Sequence, residues 1–141
     1  MNTSNEARFA PELIKARLDK FRNELEKLRE AKNVRVLAAT KTVPADVINY
    51  ATTSLGIDLI GENRVQELLQ KYDDLTRGPS RPELHLIGTL QTNKVKYIID
   101  KVDMIESVDS EKLAAEIDCQ AKKQNKVMVF LSAVIIGRVE N

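Results

Sequence analysis

The stretch Val34-Arg35-Val36-Leu37-Ala38-Ala39-Thr40-Lys41-Thr42-Val43-Pro44 decides how this chain is interpreted. Its first seven residues form a short apolar run that predicts a buried strand. Pro44 suits the first turn of a following helix, because its missing N–H has no partner to lose there. Lys41 therefore lies directly after a strand, on a rigid element at the edge of a core. This placement makes the Lys41 amine a candidate reactive group.

Outside this stretch, strands and helices alternate along the chain, after an amphipathic helix predicted over Pro11–Ala31. The alternation predicts parallel strands joined by right-handed crossovers, in an open doubly wound sheet or in part of a (β/α)8 barrel. A complete barrel needs about 250 residues, so a single domain of 141 residues, 1–141, would supply part of one. The expected strands are Val34–Thr40, Ile57–Ile60, Leu84–Gly88, Met104–Ser107 and Lys126–Leu131, and helices are expected from Pro44, around Val65, from the N-cap Thr92 and from the N-cap Asp109 or Ser110.

Composition excludes several classes of function. With 22 basic and 21 acidic residues, the chain has no overall charge to attract nucleic acid or a membrane. Aromatic residues make up 4% of the chain, which leaves few platforms for stacking bases. Neither a signal peptide nor a membrane-spanning run is evident, and the single cysteine, Cys119, suits a reducing compartment. We therefore expect a cytoplasmic protein without a nucleic-acid or membrane partner.

In both candidate architectures, ligands bind at the carboxyl ends of the strands. Lys41, Asn63 and His85 are expected at or near these ends. No glycine-rich phosphate fingerprint, Walker motif or serine nucleophile elbow is present, and one histidine with one cysteine argues against a metal site. A lysine amine can form an imine with an aldehyde, whereas most surface lysines are simply solvated. Spacing alone leaves both interpretations of Lys41 open.

Four segments of the chain together resemble one family. They are Ala39-Thr40-Lys41-Thr42-Val43-Pro44, Gly61-Glu62-Asn63-Arg64-Val65-Gln66-Glu67, His85-Leu86-Ile87-Gly88-Thr89-Leu90-Gln91-Thr92-Asn93-Lys94 and Ser107-Val108-Asp109-Ser110. In order and spacing they resemble the pyridoxal phosphate homeostasis proteins, whose fold is that of the alanine racemase N-terminal domain. The resemblance runs from about residue 10 to residue 131. It implies a (β/α)8 TIM-type barrel, pyridoxal 5'-phosphate held as a Schiff base, and a role in vitamin B6 homeostasis.

The resemblance also implies roles for individual residues. The family's cofactor lysine falls on Lys41, and Asn63 and His85 fall on positions that line its cofactor pocket. Asn63 could instead be the N-cap of the next helix, and His85 a hydrogen-bonded core residue. Glu62 and Arg64 are expected to form a local ion pair or to orient the loop. No catalytic or metal-binding residue is implied.

Three functions remain open after this comparison. The resemblance favours a cofactor carrier or regulator without turnover. A pyridoxal phosphate-dependent amino-acid racemase would need a second acid/base group on the opposite face of the cofactor and an additional domain, and the sequence supplies neither. The third alternative is a truncated remnant that keeps the lysine but cannot hold the cofactor.

The sequence departs from the family at its C-terminal end. The family continues through three further strands, which carry its phosphate-binding segments, so we expect an apparently truncated, N-terminal half of the barrel. Val134-Ile135-Ile136-Gly137 stands where the family has Val-Asn-Ile-Gly, which suggests a changed or prematurely ended reading frame. A half barrel would leave two parallel edge strands unpaired. We therefore expect self-association through the exposed barrel edges.

Overall fold

The computed structural model describes residues 7–28, 33–76 and 78–132. Residues 134–137, where the sequence departs from the family, lie outside the described residues. The changed or prematurely ended reading frame therefore stays a prediction. After a first helix, the strands and helices of the described residues alternate along the chain. In order they are α1 (Pro11–Glu26), β1 (Ala38–Ala39), α2 (Ala45–Ser54), β2 (Leu59–Glu62), α3 (Val65–Tyr72), β3 (Glu83–Leu86), a 3-10 turn (Thr92–Lys94), α4 (Val95–Ile98), β4 (Met104–Val108), α5 (Glu111–Lys123) and β5 (Val129–Ser132).

The strands form one parallel sheet in the spatial order β1-β2-β3-β4-β5. The spatial order is therefore the chain order. A doubly wound sheet reverses its strand order at a switch point, whereas a barrel adds each new strand on the same side. The topology thus selects the partial (β/α)8 barrel from the two predicted architectures.

The register of the sheet defines a row of residues that lie side by side. Ala39 pairs with Gly61, which pairs with His85. His85 pairs with Met104, which pairs with Val129. Paired residues of parallel strands lie side by side, so the residues two positions further along each strand also lie side by side. They mark the carboxyl edge of the sheet. Lys41 and Asn63 occupy that edge.

The core lies on the helix side of the sheet, where strand residues pack against α2 to α5. Side chains alternate across each strand, so the residues between these core positions point to the opposite, inner face. Burying one such aliphatic side chain contributes about 1.5–3 kcal/mol. The core includes Ile60, Leu84, Leu86 and Ile105 from the strands and Ile48, Leu68, Ile98, Leu113 and Ile117 from the helices.

Helix α1 packs on the body of the domain, as its apolar stripe predicts. Leu18 contacts the core, and the Arg22 guanidinium donates to the carbonyl oxygens of Leu55 at 2.7 Å and Gly56 at 3.2 Å. The packing is shallow, because no residue of α1 is buried and Phe21 remains 50% exposed. A few contacts and one polar anchor therefore hold this helix.

Several predicted boundaries are wrong. Strand β1 has two residues instead of seven, because only Ala38 and Ala39 pair with β2, and Val34 is 54% exposed. Helix α1 ends at Glu26 rather than at Ala31. Thr92 begins the 3-10 turn and is not a helix N-cap. Ser110 does cap α5, since its hydroxyl accepts a hydrogen bond from the Leu113 N–H at 3.1 Å.

Strand β5 differs most from its apolar sequence. Val129, Phe130 and Leu131 are 51%, 40% and 51% exposed, although the pattern predicts a dense buried strand. The reason is that β5 pairs only with β4 among the described strands.

Among the described helices, none has the length and apolarity needed to cross a membrane.

Candidate functional site

Lys41 lies two residues beyond β1, at the carboxyl edge of the sheet. Its side chain is exposed. Within the part of the chain that the structure describes, no hydrogen bond or ion pair engages its ammonium group. The amine is therefore available to react with a ligand at the strand ends.

The backbone around Lys41 forms a tight turn. The Val43 N–H donates to the Thr40 carbonyl at 3.0 Å, and Thr42 has a φ of 61° while that of Lys41 is not positive. This is the pattern of a type II turn, whose third position normally holds glycine or asparagine. A left-handed conformation costs a residue with a Cβ about 1–2 kcal/mol. Interactions elsewhere must offset that cost.

Three charged side chains supply such interactions, and we call Glu62, Glu67 and Lys71 the turn clamp. The Lys71 ammonium donates to the Thr40 carbonyl at 2.8 Å. It also donates to Glu62 Oε1 at 2.9 Å and Glu67 Oε1 at 2.7 Å, so all three of its hydrogens are used. Glu67 Oε1 accepts from the Thr42 N–H. The peptide groups on both sides of Lys41 are thus bound to the clamp.

The clamp is shielded from solvent, which strengthens its electrostatics. The side chains of Glu62, Lys71 and Glu67 are 1%, 14% and 18% exposed. The hydrogen bond from Lys71 lowers the pKa of Glu67 below its usual range; burial opposes this shift, and the Thr42 N–H adds to it. Thr40 Oγ1 donates to Glu62 Oε1 at 2.6 Å. Among the described residues, Glu62 Oε2 is buried without a hydrogen-bond partner.

The clamp corrects one prediction and adds two residues. Glu62 pairs with Lys71, so the predicted local ion pair with Arg64 is wrong, whereas the alternative, that Glu62 orients the loop, agrees with its contacts to Lys71 and Thr40. Sequence reasoning assigned no role to Lys71 and none to Glu67 beyond its place in a motif. Their spacing of four on α3 indicates a helical ion pair, but the contact of Lys71 with Thr40, 31 positions away, has no local signal.

Asn63 lies at the carboxyl end of β2 and is half-buried. The alternative that Asn63 is a helix N-cap is wrong, because α3 begins at Val65 and its N-cap is Arg64. The backbone of Asn63 lies against Gly88, where a Cβ would stand 2.0 Å from the Asn63 carbonyl oxygen. Only glycine fits at that contact. The loops that follow β2 and β3 therefore touch beside the site.

His85 lies deeper in the sheet, level with Ala39 and hence two residues, or about 7 Å, below the edge. It is 5% exposed. Its Nδ1 lies 2.6 Å from Glu106 Oε1 and its Nε2 lies 2.8 Å from Glu83 Oε1. Burial acts to lower the pKa of His85, but the hydrogen bonds to the two carboxylates outweigh it and the pKa is raised.

These contacts make His85 a hydrogen-bonded buried residue, which is one of its two predicted roles. Both ring nitrogens are engaged, so contact with a cofactor would use the face of the ring. The structure thus brings Lys41 and Asn63 to one edge and places His85 below them. The hydroxyl of Ser107 donates to the Gly88 carbonyl. In residues 7–28, 33–76 and 78–132, no three histidine, cysteine or acidic side chains group as metal ligands do.

Sequence comparison identifies relatives of this chain, although no family model matches it. It is 42% identical over 124 residues to the pyridoxal phosphate homeostasis protein of Aquifex aeolicus (strain VF5), covering 87% of this chain and 53% of that protein. It is also 39% identical over 107 residues to the protein of the same name from Bos taurus, covering 70% of this chain and 39% of that protein.

Solved structures agree with the sequence matches. PipY of Synechococcus elongatus PCC7942 with pyridoxal phosphate bound superposes with a TM-score of 0.76 at 33% identity, over 89% of this chain and 56% of PipY. An unknown protein from Bifidobacterium adolescentis gives a TM-score of 0.69 at 32% identity, over 93% of this chain and 56% of that one. In sequence and in fold the chain is therefore similar to the pyridoxal phosphate homeostasis proteins. It spans 53% of the length of the Aquifex protein and 39% of that of the Bos taurus protein.

Proposed function

We propose that this chain is a pyridoxal 5'-phosphate-binding protein of vitamin B6 homeostasis that holds the cofactor as a Schiff base on Lys41. The observation that carries the proposal is an exposed amine, free of internal partners among the described residues, at the carboxyl edge of a parallel sheet. The bound cofactor in PipY supports the choice of ligand. We further propose that the protein is cytoplasmic.

The residues at the edge fit the aldehyde end of this cofactor. Pyridoxal 5'-phosphate supplies an aldehyde, which condenses with a free amine and releases water. Lys41 offers that amine on a turn whose two flanking peptide groups are fixed by the clamp. Asn63, which is not used as a helix cap, can donate a side-chain hydrogen bond at the same edge. The face of the His85 ring would lie beneath.

We infer that the protein has no turnover of its own. A racemase needs a second acid/base group on the far side of the cofactor from the lysine. The chain contains a single histidine, and Glu83 and Glu106 occupy both of its ring nitrogens. This supports a binding role over the racemase alternative.

The proposal is tested by mapping where the protein reacts with the cofactor. Purified protein is mixed with pyridoxal 5'-phosphate, the visible absorption band of the Schiff base is recorded, and borohydride reduction followed by peptide mapping locates the label. We expect one label, on Lys41, that disappears in Lys41→Ala. Lys123→Ala is the matched control, because Lys123 is another exposed lysine and is the last residue of α5, at the end of that helix remote from the carboxyl edge of the sheet.

Each alternative gives a different result in the same experiment. Labels distributed over many surface lysines, with no loss in Lys41→Ala, would contradict the proposal and favour a remnant that cannot hold the cofactor. Racemisation of an added L-amino acid by the loaded protein, lost in Lys41→Ala, would favour the enzyme. A single label without racemisation supports the binding protein.

We also propose that copies of the chain associate through the open side of β5. Val129, Phe130 and Leu131 expose apolar surface on both faces of this strand. Strand β5 pairs only with β4 among the described strands, so its other edge offers backbone groups to a further strand.

A further inference from the structure

The side chains that hold the Lys41 turn all come from the segment of β2 and α3. Glu62 is the last residue of β2, and Glu67 and Lys71 lie on successive turns of α3. Lys71 binds the carbonyl of Thr40, and Glu67 binds the N–H of Thr42. The residue between these two contacts is Lys41. The clamp therefore constrains the two peptide groups that determine where the Lys41 side chain begins.

The conformation of the turn indicates why such a constraint is needed. Thr42 has a φ of 61°, a value that a β-branched residue rarely adopts. Two hydrogen bonds fix this geometry. The Thr42 N–H donates to Glu67, and the Val43 N–H donates to the Thr40 carbonyl. Because the Thr40 carbonyl also accepts from Lys71, the turn and the clamp share an acceptor and form one network.

The charges of the clamp depend on one another. Lys71 lies between two carboxylates, at 2.9 Å from Glu62 Oε1 and 2.7 Å from Glu67 Oε1. Glu62 is 1% exposed at its side chain, so removal of Lys71 would leave a buried carboxylate without its counter-ion. Loss of either member on α3 should therefore release the turn, and not only the bond that was removed.

From this geometry we propose that Glu67 and Lys71 are positioning residues for the Lys41 amine. They hold the Thr40–Val43 turn so that the amine stays at the carboxyl edge of the sheet. The assignment of a role in cofactor binding rests on the proposed function, whereas the effect on the turn is independent of it.

The test compares variants of the clamp with a lysine of similar burial elsewhere. Lys71→Met removes the ammonium and keeps most of the side-chain volume. Lys126→Met is the matched control, because the Lys126 ammonium donates to the carbonyls of Ile99 at 3.0 Å and Val102 at 2.6 Å, at the opposite end of β4 from the site. Two quantities are measured: amide hydrogen exchange at Thr42 and Val43 in the unloaded protein, and the dissociation constant for pyridoxal 5'-phosphate.

We expect Lys71→Met to speed exchange at Thr42 and Val43 and to weaken cofactor binding, each by about tenfold or more, since hydrogen bonds to a charged group are lost. Lys126→Met should change neither, although it also destabilises the fold. Glu67→Gln keeps an oxygen that can accept from the Thr42 N–H, so hydrogen exchange at Thr42 and Val43 should stay close to the wild-type rate. Glu67→Leu removes this acceptor and should behave like Lys71→Met. If Lys71→Met fails to fold, these two Glu67 variants decide the inference.

The outcomes separate this inference from the proposed function. Unchanged exchange at Thr42 and Val43 in Lys71→Met or Glu67→Leu would overturn it, as would faster exchange with unchanged cofactor affinity. A wild-type protein that fails to label at Lys41 would contradict the proposed function. The exchange rates alone would then decide whether the clamp holds the turn.

Discussion

Replacement of Gly88 by alanine should be far more damaging than one added methyl group suggests. The φ of Gly88 is not positive, so the alanine backbone is permitted and any cost comes from contacts. A Cβ there would stand 2.0 Å from the carbonyl oxygen of Asn63, 2.8 Å from its carbonyl carbon and 2.9 Å from its Cα. These are main-chain atoms, so no side-chain rotation relieves the overlap. The loops after β2 and β3 must move apart.

Overpacking of this kind costs about 1–3 kcal/mol. Because the obstacle is backbone, we expect the upper value for Gly88→Ala, about 3 kcal/mol, which corresponds to a fall in Tm of about 10 °C. The assay is urea unfolding followed by circular dichroism, with thermal melts as a second probe. The separation of the loops should also displace Asn63 and weaken cofactor binding.

Gly78→Ala is the matched control for this substitution. Gly78 has a φ of 91° and nothing within 4 Å of an added Cβ, so its cost is conformational alone and should be about 1–2 kcal/mol. If Gly88→Ala is no more destabilising than Gly78→Ala, the close approach of Gly88 to Asn63 does not exist in solution. The loops after β2 and β3 would then not be in contact at the sheet edge.

Two further predictions concern the inner face of the sheet and its edge. The folded pKa of His85 lies above its ordinary value of 6.5, so the charged ring stabilises the fold below pH 6.5 and this contribution is lost as the pH rises through the folded pKa. His85→Gln should therefore cost about 2 kcal/mol at pH 6 and less at pH 8, measured by urea unfolding across that range; a pH-independent difference would refute the ion pairs with Glu83 and Glu106. Leu131→Lys should weaken self-association about tenfold in sedimentation velocity experiments, whereas Tyr97→Lys, on the exposed side of α4, should not. A monomeric wild-type protein at every concentration would contradict the proposed association.

The sequence predicts the parallel sheet well because the signal is repeated. Each predicted strand from the second to the fifth overlaps an observed one, and core positions such as Ile60 and Ile105 follow the alternation that burial of one face imposes. Composition and periodicity left the doubly wound alternative open. The family resemblance favoured the barrel, and the order of the strands then selected it.

The details around Lys41 were less predictable, for physical reasons. Residues 34–37 carry a strand pattern, but a residue enters a ladder only when a neighbouring strand pairs with it, and the pairing of β1 with β2 begins at Ala38 and Ile60. No local signal predicts a left-handed conformation for Thr42, because that conformation is stabilised by Glu67, 25 positions along the chain. Lys71 looks like an ordinary surface residue of an amphipathic helix. Its burial follows from the path of the chain after β2.

The contacts that shape the Lys41 turn arise within one continuous part of the chain. Thr40 and Thr42 are bound by Glu62, Glu67 and Lys71, so the whole network lies between residues 40 and 71. It packs on the helix side of the sheet, and none of its contacts involves the exposed strand β5. The geometry of the amine is therefore independent of the open edge of the sheet. It follows that a disturbance at β5 should alter association without altering the turn, and that the proposed labelling of Lys41 should survive it.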